Sequence, residues 1–143
     1  VVRDVVSPFW IDLLRRGCED AQEDPGPYGQ FLGNPADEGV FFTDLELARR
    51  LPTFAAFALH GPAAAVAGAV SRSREVRYLY DQLFLKDRVS LPTPWHQDGG
   101  YWRCAGNDLC SVFVPLDHVP RAECLAFLPG TQNWPLHNPA HFA

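Results

Sequence analysis

The spacing of apolar residues changes period once along this chain, and that change decides the fold class. In "PFWIDLLRRGCED", residues 8–20, Phe9 or Trp10, Leu13 and Leu14 fall on one helical face while Asp12, Arg15 and Arg16 turn elsewhere. In "VRYLYDQLFLK", residues 76–86, Tyr78, Tyr80, Gln82 and Phe84 alternate with Leu79, Asp81, Leu83 and Leu85. That is the period of a strand with a polar step on one face. Helices first and strands later predict an α+β chain whose sheet carries the chemistry.

Punctuation fills in the rest. "TDLELARRL" offers Thr43 as N-cap, Glu46 three residues on to complete a capping box, and two arginines in a last turn before Pro52. It predicts a helix over 43–51. "FAAFALHG" closes at Gly61 like a helix C-cap, and "PAAAVAGAV" reopens with Pro62 at the first helical position. "EDPGPYGQFLGNPADEG", residues 23–39, reads as loop. Residues 1–70 are therefore expected to be mainly helical. "DLCSVFVPLDHV" and "CLAFLPG", bounded by Pro and Gly, are expected to be further strands.

A chain of 143 residues with 47% hydrophobic content can bury one real core. Its net charge of −5, with "SRSREVR" as the only basic cluster, argues against nucleic acid or an anionic membrane as partner. Residues 52–70 are too broken by His60, Gly61 and proline for a membrane span, and no secretory pattern opens the chain. A cytoplasmic location is the expectation. The four cysteines, Cys18, Cys104, Cys110 and Cys124, show no C-x-x-C spacing and are expected to be reduced, mostly buried thiols. The chain begins at Val1 and contains no methionine, which reads as a piece of something longer.

The candidate chemistry lies in "TPWHQDGGYW", residues 93–102. Non-haem Fe(II) sites use two histidines and one carboxylate on one face, with positions left open. On a strand, residues i and i+2 point the same way, so His96 and Asp98 can converge on one ion while Gln97 points away. Taken alone the triplet reads more readily as a hydrogen-bonded structural histidine beside an acid.

The surroundings alter that weighing. "DPGPYGQFLG", "GVFFTDLELARRLP", "DQLFLK", "PTPWHQD", "YW" and "FLPGTQNW" occur in order. From about Pro25 to about Trp134 the chain resembles the phytanoyl-CoA dioxygenase family of Fe(II)- and 2-oxoglutarate-dependent oxygenases, in its bacterial branch. The resemblance implies a jelly-roll, or double-stranded β-helix, core. It also implies Fe(II) held by His96 and Asp98, and hydroxylation of a small organic molecule or acyl thioester as 2-oxoglutarate is decarboxylated to succinate. By position it assigns Lys86, Gln97 and Phe113 to the cosubstrate, and Gln82 and Trp102, with Tyr101 as a possible companion, to the substrate side.

Ala122-Glu123 and Gln132 replace the Asn-Gly and histidine usual in the family. The distal iron histidine and the arginine for 2-oxoglutarate would follow Trp134 by more than the chain provides. The resemblance thus implies one incomplete domain over 1–143, its residues 75–143 forming the first part of the jelly roll. His118, His137 and His141 fall in turn or loop sequence and are not assigned to metal. The alternative to an oxygenase is a truncated, non-catalytic member serving as a structural or binding module, and a zinc isomerase or hydrolase ranks behind both.

Overall fold

The computed structural model describes residues 1–33, 39–88, 93–102, 104, 106 and 108–137. It divides into two units, Val1–Leu91 with Cys110–Leu116, and Pro92–Leu109 with Asp117–Ala143.

The first unit opens with α1 (Pro8–Glu23), started by Pro8 after an extended Ser7 and closed where the Asp24 N–H donates to the Asp20 carbonyl. Its buried stripe is Leu14, Gly17, Cys18 and Ala21, the i, i+3, i+4, i+7 spacing of one helical face. That stripe lies further along than the Phe9-to-Leu14 spacing predicted, and Phe9 is exposed. Gly17 sets the register of packing: a Cβ there would collide with Thr53 Oγ1 and come within 2.8 Å of Phe54 Cε2. That close approach seats α2 (Pro52–His60) on α1, with Trp10 and Phe57 meeting edge to face at 5.6 Å.

Helix α3 (Ala63–Ser71) follows after a break at Gly61–Pro62. The stretch Pro52–Ser71 is long and apolar enough by composition to cross a bilayer. It is nonetheless two nine-residue helices, each about 14 Å long against a hydrocarbon thickness of about 30 Å.

Three antiparallel strands, β1 (Gln30–Leu32), β2 (Val40–Leu45) and β3 (Gln82–Asp87), pair in the order β1-β2-β3. Phe42 faces Leu85 and Asp44 faces Leu83 across the ladder. Phe42, Leu47 and Leu83 join Cys18 and Ala21 of α1 in the core, with Leu51, Phe54, Leu85 and Leu116 packed around it.

The capping-box reading of 43–51 is overturned. Thr43 and Leu45 are strand residues, Glu46 takes a left-handed backbone at φ 58°, and only a short 3-10 turn, Leu47–Arg49, follows. The reason is tertiary: Phe42 and Asp44 alternate onto the inner face, and every residue of β2 has a partner in β3. Local helix preference is a fraction of a kcal/mol per residue and yields to that pairing. The segment 23–39 likewise contains β1, so strands stand between the helices of the first 71 residues.

Asp44 is fully buried and saturated. Its Oδ2 accepts from Arg50 Nη2 at 2.6 Å and from the Gly26 N–H at 3.0 Å, and its Oδ1 accepts from the Leu45 N–H at 2.8 Å. Arg50 Nη1 donates onward to the Asp24 carbonyl at 2.8 Å, so one carboxylate fixes the Asp24–Gly26 turn against the sheet.

Asp81, just ahead of β3, plays a second such part: its Oδ2 accepts from the Ala48 N–H at 3.0 Å, holding the 3-10 turn. Burial raises the Asp81 carboxyl above its ordinary range, against lowering hydrogen bonds from Tyr78 and Ala48. Burial, and then the charge of Asp81, push the Tyr78 hydroxyl up. A carboxyl whose folded-state pKa is raised destabilises the fold while ionised, and that penalty is relieved as pH falls through the folded-state pKa. Asp81→Asn keeps an oxygen for Ala48 and removes the charge, so it is expected to be more stable than wild type at neutral pH, with a smaller gap at acidic pH. Urea midpoints of the two proteins at both pH values check this; a gap that widens on acidification contradicts it.

Among the described residues of the second unit, regular structure is limited to 3-10 turns at Asp98–Gly100, Arg121–Glu123 and Thr131–Asn133. The strands expected over 108–119 and 124–130 are not formed among the described residues. Apolar runs become strands only against a ladder partner, and the described residues offer these runs none. Residues Cys110–Leu116 belong instead to the first unit, where Arg15 Nη2 donates to the Leu116 carbonyl at 2.6 Å. None of the four cysteines forms a disulfide, and only Cys18 is buried, while Cys110 and Cys124 are exposed.

Candidate metal centre

His96 and Asp98 lie in the second unit, where Gln97 between them is extended at φ −109°, ψ 125°. Extended backbone at the middle residue puts its two neighbours on one side. His96 Nε2 and Asp98 Oδ1 accordingly stand 3.2 Å apart. Directly after the pair, the Gly100 N–H donates to the Gln97 carbonyl at 3.2 Å and the Tyr101 N–H to the Asp98 carbonyl at 2.9 Å. This tight turn brings the Tyr101 ring edge to face with His96 at 5.6 Å.

The other imidazole nitrogen settles which end of the ring is presented. His96 Nδ1 lies 2.8 Å from the Pro94 carbonyl, which can only accept, so the proton is on Nδ1. In the neutral ring the Nε2 lone pair then faces a carboxylate oxygen, an arrangement that calls for a cation between them. A proton on Nε2 makes the pair an ion pair; a metal in that place makes it part of a coordination shell.

His96 opens on a cavity of about 360 Å³ whose walls include Trp95, Phe127, Trp134 and His137. Gln97 is extended but belongs to no strand among the described residues, in contrast to the strand expected to carry the pair, and its side chain reaches the backbone of Pro135 and His137. Among the described residues no three His, Cys, Asp or Glu side chains are grouped to hold one ion, so His137 does not complete the pair. His118 is exposed, and His141 lies outside the described residues.

The remaining sequence candidates fall elsewhere. In the first unit, Gln82, Phe84 and Lys86 occupy one face of β3 at alternate positions. Gln82 Nε2 donates to Thr43 Oγ1 at 3.3 Å, and Lys86 Nζ stands 4.7 Å over the ring of its cross-strand partner Phe41. Desolvation lowers the Lys86 ammonium from its ordinary value. Phe113, also in the first unit, lines an apolar groove of about 420 Å³ with Val5, Ile11, Phe57 and Val66. Trp102, in the second unit, is half-buried; Tyr101 is the neighbour whose ring meets His96. The structure thus brings His96 and Asp98 together, while Gln82 and Lys86 only share one face of β3, four positions apart. The Gln97 contact had no sequence signal, since its partners lie about 40 positions away in a stretch that reads as loop.

No curated protein and no solved structure matches the chain. The family profile described as Phytanoyl-CoA dioxygenase (PhyH) matches residues 1–142, nearly the whole sequence. The chain, with an imidazole and a carboxylate converging two residues apart, belongs to the phytanoyl-CoA dioxygenase family.

Proposed function

We propose that the protein is an Fe(II)- and 2-oxoglutarate-dependent dioxygenase that hydroxylates a small organic molecule or acyl thioester, with His96 and Asp98 as two of its iron ligands. The observation that carries this is the 3.2 Å separation of His96 Nε2 and a carboxylate oxygen of Asp98. Two donors bound side by side to one metal at about 2.0–2.2 Å each lie roughly 3 Å apart, so the pair fits. The two donors, one imidazole and one carboxylate, are two of the three that make up the 2-His-1-carboxylate set of non-haem Fe(II).

The iron would supply the oxidising chemistry once 2-oxoglutarate and oxygen are present. The chain's own residues do the positioning. Pro94 fixes the tautomer of His96, and Tyr101 limits how the ring can turn. The family resemblance assigns the Lys86 ammonium to a cosubstrate carboxylate, to which a cation is suited. The jelly-roll core the family implies is part of the same proposal.

The test is succinate formation from 2-oxoglutarate in the presence of Fe(II), oxygen and ascorbate. Slow turnover without substrate that disappears in His96→Ala supports the reading. Turnover that persists in His96→Ala, or none from folded, iron-loaded protein, overturns it.

A further inference from the structure

We infer that Gln97 is a positioning residue: its carboxamide clips the segment Pro135–His137 to the turn that carries the metal pair, and so sets one wall of the cavity beside His96. Gln97 Nε2 donates to the Pro135 carbonyl at 3.3 Å, and Gln97 Oε1 accepts from the His137 N–H at 2.8 Å. The two partners flank Leu136. A carbonyl can only accept and a backbone N–H can only donate, so one orientation of the carboxamide satisfies both and a flip would lose both.

This is how the peptide group of a neighbouring strand would bind the segment. Here a side chain does it, in a unit whose described residues form no ladder. Leu136 supplies an independent contact. Its Cδ1 lies 3.3 Å from where a Cβ on Gly99 would stand, so the segment rests closely on the pair's own turn. Trp134, just before the clipped stretch, and His137, at its end, both line the cavity with His96. The clip therefore places the cavity wall without lending a donor to the metal.

The inference deepens the iron reading of His96 and Asp98, and rests on it for its functional meaning. It is tested on the intact protein with Gln97→Ala, Gln97→Met, which keeps the bulk without the bonds, and Gln97→Glu, which keeps the acceptor for His137. The His137 amide is expected to exchange with solvent about tenfold faster in the Ala and Met variants, the weight of a hydrogen bond, with most protection restored in Glu. Amides of β2 should not change. Affinity for Co(II), used as the oxygen-stable probe metal, should fall far less than in His96→Ala, because no ligand is removed.

Unchanged His137 exchange in both Ala and Met overturns the clip. A large loss of Co(II) affinity with His137 protection intact also overturns it, since Gln97 would then act on the metal site directly. Wild-type protein that binds no Co(II) would remove the iron reading while leaving the exchange comparison to decide the clip.

Discussion

Asp44→Ala is expected to lower the stability of the chain by about 3–5 kcal/mol, a large part of what a domain of this size possesses. The carboxylate is fully buried, and three donors converge on it: Arg50 Nη2, the Gly26 N–H and the Leu45 N–H. Truncation leaves the Arg50 guanidinium without its countercharge in a largely buried place and frees the Asp24–Gly26 turn from the sheet. Stranding a charge costs more than the pair itself contributes, because the remaining partner retains its desolvation penalty. Asp44→Asn should cost less, since an amide oxygen still accepts from one of the donors. Arg49→Ala provides the contrast: its ion pair with Glu46, at 3.2 Å, is largely exposed on the arginine side, and its loss should change stability by at most about 1 kcal/mol. Urea unfolding of the three variants measures all of this. An Asp44→Ala protein within about 1 kcal/mol of wild type would contradict the account of the first unit.

Removing either member of the metal pair is the second large effect. Changing groups that merely support a ligand typically costs 10–100-fold in metal affinity, so His96→Ala and Asp98→Ala, which remove ligands outright, are expected to lose about 100-fold or more. The loss should appear in anaerobic Fe(II) or Co(II) titrations of folded variants. His137→Ala should bind as wild type, because its side chain does not join the pair in a group of three among the described residues. His118→Ala, at an exposed position, serves as a further control. Equal losses in His137→Ala and His96→Ala would mean that the ion sits elsewhere in the cavity than between Nε2 and Oδ1.

What the sequence revealed and what it concealed divide along physical lines. Helices α1, α2 and α3 were legible because their signals are local: Pro8 at a first turn, Gly61 closing one helix, an apolar spacing of three and four. The pair His96 and Asp98 was legible for the same reason, since only one extended residue separates them. Residues 43–51 misled because a capping box is also local, and it was overridden by a ladder to β3 almost forty residues away. The burial of Asp44 was illegible, because it depends on Arg50, Gly26 and the sheet arriving together. Gln97 was legible in direction but not in purpose: alternation places its side chain opposite the pair, yet only the folded chain shows Pro135 and His137 waiting there. The apolar runs after residue 108 look like strands in sequence, but strand formation belongs to partners and cannot be read from one run alone.

The central claim, that His96 and Asp98 hold an iron on which 2-oxoglutarate chelates, is tested most directly by adding Fe(II) and then 2-oxoglutarate to the protein without oxygen and recording the visible spectrum. The account predicts a metal-to-ligand charge-transfer band in the wild-type protein that is absent in folded His96→Ala. A band that survives in His96→Ala, or no band from wild-type protein shown to have bound both Fe(II) and 2-oxoglutarate, would contradict it.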